Sequence, residues 1–136
     1  MRADINLPLK GKWFDMIARG EKKEEYRDVE HRQVQRAYLA ASNNRWWFHT
    51  RKRIAIFRNG YTMKSRALAV EITGFDLRGK HDVKHTEWGE PTCRRCHLVI
   101  MLGEIIAKGP YADLKRILAQ GQDKPTESEA GKCTGR

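Results

Sequence analysis

The run Gly20-Glu21-Lys22-Lys23-Glu24-Glu25-Tyr26-Arg27 concentrates side chains that can do chemistry. In an extended strand side chains alternate, so Glu25 and Arg27 share a face with Lys23, and Lys22 at the strand entry can swing to the same side. Opposite charges two residues apart beside a lysine make a preorganised polar site rather than a core. The structural alternative is an edge strand decorated with charge against aggregation. If Lys22 faces a ligand, Lys22→Ala weakens binding and leaves folding nearly intact, because an exposed lysine contributes little to stability.

Two further groupings carry chemical potential. Arg45, Arg51, Lys52, Arg53, Arg58, Lys64 and Arg66 follow one another with no acid between them, and Trp46, Trp47, Phe48 and Tyr61 are interleaved. Cations beside aromatic faces suit single-stranded nucleic acid, which needs phosphate attraction and stacking platforms. Arg45, Trp46, Trp47, Arg51 and Arg53 are the expected contacts. The alternative makes the aromatics core residues with solvated arginines around them. Adjacent tryptophans on a strand face opposite ways, so at least one of Trp46 and Trp47 is expected to be buried. The third grouping is His81 and His85 followed by Cys93 and Cys96. Two nitrogens and two sulfurs at these spacings can close a tetrahedral structural zinc site. The chemistry expected elsewhere requires no cofactor. Cys93 to His97 also has the spacing of covalent haem attachment, without the export segment or enclosing pattern that such attachment needs. With only three cysteines, Cys133 included, a disulfide framework is not indicated.

These groups must be held by a chain of 136 residues, a length that fits one domain with a modest core. A hydrophobic share of 40% and a charged share of 32% describe a globular protein, with no apolar run long enough for a membrane span and no leader pattern, so a cytoplasmic location is expected. A net charge of +10 makes polyanions the first partners to consider. Strands are expected over 4–9, 22–28, 53–59, 65–77 and 97–108, with helices over 12–19, 29–41 and 113–120. Asn59-Gly60 signals a hairpin, Gly74 a bulge or corner, and Gly20 the end of the first helix. Residues 78–96 read as a polar loop. One domain over 1–120 and a disordered tail over 121–136 follow. The pattern indicates an α+β fold, a small mixed β-barrel of about five or six strands with short flanking helices.

Gly20-x-Lys22-x-x-Glu25-x-Arg27, entered through Ile5 to Leu9 and Trp13 to Ala18, resembles the GxKxxExR signature of the ASCH domain family, part of the PUA-like superfold. The resemblance spans roughly residues 4–108. It implies a cleft between barrel and helices suited to RNA or a nucleotide. There Lys22 would meet a phosphate or substrate carbonyl, Arg27 would orient Glu25 or grip phosphate, and Glu25 would act as base or accept from an exocyclic amine. Some small family members remove acyl groups from the exocyclic amine of cytidine with a lysine, a threonine and a distal glutamate. This chain has Glu25 where those enzymes have threonine, and Glu71, Glu87 or Glu90 would be the distal acid. A third reading is a ribonuclease in which Lys22, Glu25 and His81 or His85 exchange protons. Binding of RNA or a nucleotide is the leading expectation, with the two enzymatic readings as alternatives.

Overall fold

The computed structural model describes residues 2–9, 11–79 and 97–123. In chain order these form β1 (Ile5–Pro8), α1 (Gly11–Ala18), β2 (Glu24–Asp28), α2 (Arg32–Asn43), α3 (Trp47–Thr50), β3 (Ile54–Asn59), β4 (Arg66–Arg78), β5 (His97–Pro110) and α4 (Tyr111–Asp123). The strands make one mixed sheet in the order β1-β3-β4-β5-β2. Only β1 and β3 run parallel; the other neighbours are antiparallel. The fold is therefore α+β. Backbone pairing leaves β1 and β2 as edges and does not close the sheet.

Alternation in β3 decides the layering. Ala55 and Phe57 face one core with Ile5 and Leu7 of β1, and Phe14 and Val34 bring α1 and α2 onto that face. Ile54 and Ile56 face the other, where Leu114 and Leu118 of α4 cover them. Covered on both sides, β3 is apolar through four consecutive buried residues. The expected common face of Leu68, Val70 and Ile72 lies in the first core. The register of β4 against β5 shifts between Val70 and Gly74, so the glycine marks a bulged stretch as its position suggested.

Three boundaries differ from expectation for local reasons. Asp28 accepts from Glu30 N with its side chain (2.9 Å) and from His31 N with its carbonyl (2.9 Å). That turn delays α2 to Arg32. Trp47 lies on a short helix and not a strand, because Asn44 accepts from Trp46 N and Trp47 N and starts a turn. At the other end α4 runs to Asp123, so 121–123 are helical; residues 124–136, with Cys133, lie outside the described residues. Among the described residues no helix is long and apolar enough to cross a membrane.

Candidate nucleotide site

The charged run is shaped by how α1 ends. Gly20 has φ of 77°, the left-handed region that glycine occupies without a Cβ clash. Its N–H bonds Ile17 O and that of Glu21 bonds Met16 O, a Schellman closure that turns the chain back along the helix. Lys22 N also donates to Met16 O, at 3.1 Å. The lysine side chain then runs inward, its Nζ lying 5.8 Å from the Trp13 ring centre and 5.1 Å from that of Tyr26.

Lys22 and Glu25 are both only 3% exposed. Lys22 Nζ donates to Glu25 Oε1 at 2.6 Å, while Arg27 Nη1 donates to Glu25 Oε2. One buried carboxylate thus stands between two cations, which offsets much of its desolvation. The backbone explains the rest. Lys23 O accepts from Leu102 N of β5 (2.9 Å), so the carbonyls of Glu24, Tyr26 and Asp28 face away from the sheet. Lys22 Nζ takes Glu24 O, Arg27 Nη1 takes Tyr26 O (3.0 Å), and His31 N takes Asp28 O. Arg27 Nη2 reaches across to Pro8 O of β1 at 3.1 Å. Lys22 and Arg27 therefore cap one edge of the sheet, and Arg27 ties it to the other. Lys22 is not the exposed, expendable lysine anticipated. On β1 the matching service comes from Gln33 of α2, which bonds both the N–H and the carbonyl of Asn6.

Beside this cluster lies a cavity of about 290 Å³. Ile17, Val70, Leu102 and Ile105 give it apolar walls, Gly20 and Gly103 bring backbone close, and Lys22, Lys23 and Glu104 supply charge. Glu71, one expected distal acid, is not among the lining residues; Glu87 and Glu90 lie outside the described residues. Glu104 was missed because it stands in an apolar strand pattern. Its position at the register shift between Val70–Ile105 and Ile72–Leu102 brings it to the cavity. A second network was also missed. Arg78 grips both oxygens of Glu24 at 2.8 Å and bonds Asp76, and Tyr26 OH donates to Glu24 at 2.8 Å. Glu24 and Asp76 hold the Arg78 guanidinium above its ordinary pKa, the hydrogen bond to Glu24 contributing most.

The basic, aromatic segment divides. Trp46 is 57% exposed, with the Arg45 guanidinium 5.1 Å from its ring centre and His49 edge-on at 5.9 Å. Trp47 is buried against Phe48 and Phe75, with the Arg53 guanidinium stacked on it at 4.0 Å. Arg51 and Arg53 both bond Asp4, which also accepts from Ile54 N. Their charge is thus spent largely within the fold, while Arg45, Trp46, Lys52, Lys64 and Arg66 are exposed, as is Tyr61 of the β3–β4 loop at 81%. His81, His85, Cys93 and Cys96 lie outside the described residues.

His31 gives this region a pH dependence. Its Nδ1 accepts from Val34 N and caps α2. Burial first, then the charge of Arg27, push the imidazole below its ordinary pKa. The folded state thus favours the neutral ring, so its contribution is present above the unfolded value of about 6.5 and is lost as pH falls below it. Melting temperature should drop between pH 7.5 and 5.5, and His31→Asn, which keeps an N-cap acceptor, should reduce that drop. An equal drop in the variant would assign it to other groups.

Comparison of the chain with family models, curated proteins and solved structures found no match to any of the three.

Proposed function

We propose that this chain is a PUA-like ASCH domain that binds RNA or a nucleotide. A base occupies the cavity beside Lys22, and the phosphate chain runs over the basic surface around Arg45 and Trp46. The observation that carries the reading is the cavity itself: about 290 Å³ with a buried, charge-bridged lysine in its wall and apolar sides. That volume suits a base or nucleoside and cannot enclose a longer strand. The remaining nucleotides need an outer surface, and exposed Trp46 beside Arg45 is one that stacks bases and attracts phosphate. The bridge from Arg27 to Pro8 supports the barrel architecture, with a side chain completing what strand pairing leaves open. The Lys22-Glu25-Arg27 trio then acts as the frame of the cleft, with Lys22 as its ligand-facing member.

The amidohydrolase reading is weaker. Glu25 is engaged by two cations, and the nearest hydroxyl, Tyr26, is turned to Glu24. Neither is an activated nucleophile. The ribonuclease reading depends on His81 or His85, outside the described residues.

Fluorescence anisotropy of a labelled single-stranded RNA across a salt series tests the proposal, with a denaturing gel to register cleavage. Binding should weaken with salt and leave the RNA intact. Trp46→Ala should weaken it by roughly 5- to 150-fold, the worth of one stacked base, without changing melting temperature. Absence of binding at low salt, of the RNA and of nucleosides alike, would overturn the reading.

A further inference from the structure

Lys23 and Glu104 line the cavity, and their side chains make no hydrogen bond or ion pair among the described residues. Every other charged residue of the adjoining motif is committed: Lys22 and Arg27 to Glu25 and to edge carbonyls, Glu24 to Arg78. The cavity therefore presents one uncommitted cation and one uncommitted anion between apolar walls. The hydrogen bond from Leu102 N to Lys23 O sets Lys23 across from Leu102, and Glu104 lies two residues further along β5. They are thus diagonal cross-strand neighbours, separated by roughly 7–8 Å, close enough for both side chains to meet one planar ring.

We infer that this cavity selects guanine, with Glu104 and Lys23 reading its Watson–Crick edge. This rests on the nucleotide-binding reading above and names the base. Guanine is the one common base that offers two adjacent N–H donors beside a carbonyl oxygen. A carboxylate accepts both donors in a forked pair and an ammonium donates to the carbonyl. Uracil places its single N–H between two carbonyls, which would face the carboxylate. Cytosine offers one amine beside two acceptors, and adenine one amine beside one. Each leaves part of the pair unmatched, so the forked carboxylate pair and the ammonium–carbonyl bond together favour guanine. The carboxylate also disfavours phosphate inside the cavity, which keeps the charged backbone on the outer surface. Ile17 and Val70 supply apolar walls for the ring, and Gly20 and Gly103 line it with backbone.

The test is titration of the full chain with guanosine, cytidine, adenosine and uridine by ligand-observed NMR or calorimetry, alongside the RNA anisotropy assay. Guanosine should bind at least tenfold more tightly than the others. Glu104→Gln and Lys23→Met should each lower guanosine affinity about tenfold or more and reduce the preference, with melting temperatures unchanged because both residues are exposed. Equal binding of all four nucleosides, or a guanosine preference untouched by both variants, would overturn the assignment. Salt-sensitive RNA binding without any nucleoside binding would overturn it too, while leaving the RNA-binding reading standing. If RNA also fails to bind, both fall together.

Discussion

Replacing Lys22 with alanine should destabilise the protein by about 3 kcal/mol, the low end of the cost of breaking a buried ion pair. For a domain of this size that is a fall in melting temperature of roughly 10 °C. The physical reason is what the lysine leaves behind. Glu25 is as buried as its partner and would keep only Arg27, while Glu24 O would lose the side chain that covers it. A truncated stem also opens space beside Trp13 and Tyr26. Lys22→Met keeps the stem and separates the two contributions: it should recover the packing and not the charge. Combining it with Glu25→Leu should cost less than the sum of the single changes, with a coupling of about 1–3 kcal/mol, because an apolar pair leaves no orphaned buried ion. Urea denaturation of the parent, the three single variants and the double variant measures these differences. A Lys22→Ala variant as stable as the parent would mean that water reaches the pair and that the lysine serves the ligand alone.

This result bears on what a charged motif in a sequence can be taken to say. The spacing of Lys22, Glu25 and Arg27 indicated that they converge, because alternation in a strand and a glycine-ended helix are local properties of the chain. It could not indicate burial. That depends on contacts distant in sequence, which have no local signature, such as the hydrogen bond from Arg27 of β2 to Pro8 O of β1. The five strands were legible for the same local reasons: alternation in β3, the Asn59-Gly60 turn, and Leu68, Val70 and Ile72 on one face. Their order was not. Nor was Glu104, since a lone acid after an apolar run reads as solvent-facing until a register shift brings it to a cavity. At 45–53 the pattern misled more directly. Arginines beside tryptophans look alike whether they meet phosphate or a buried ring. What separates them is Asp4, nearly fifty residues upstream.

Arg53 makes that distinction measurable. Its side chain is only 10% exposed and donates to Asp4 at 3.2 Å, Trp47 O at 2.8 Å and Thr50 Oγ1 at 3.0 Å while lying over Trp47. Arg53→Ala should therefore cost about 2–3 kcal/mol, from the removed charge-assisted hydrogen bonds and the ring stacking together. It should leave the salt dependence of RNA binding nearly unchanged, since all three guanidinium nitrogens already donate within the fold and the group lies over Trp47. The paired substitution Arg45→Ala with Lys52→Ala, at two exposed residues, should do the reverse. Melting temperature would hold, and the slope of log affinity against log salt would flatten by about 1.4, or about 0.7 for each phosphate of a single strand that is no longer neutralised. The two variants thus move opposite observables. If Arg53→Ala flattened the slope while its melting temperature held, the guanidinium would be meeting phosphate despite its burial, and the footprint would have to extend across β3 to Asp4. If neither variant altered the slope, the phosphate path would lie elsewhere, and Tyr61 and Lys64 on the β3–β4 loop would be the next residues to change.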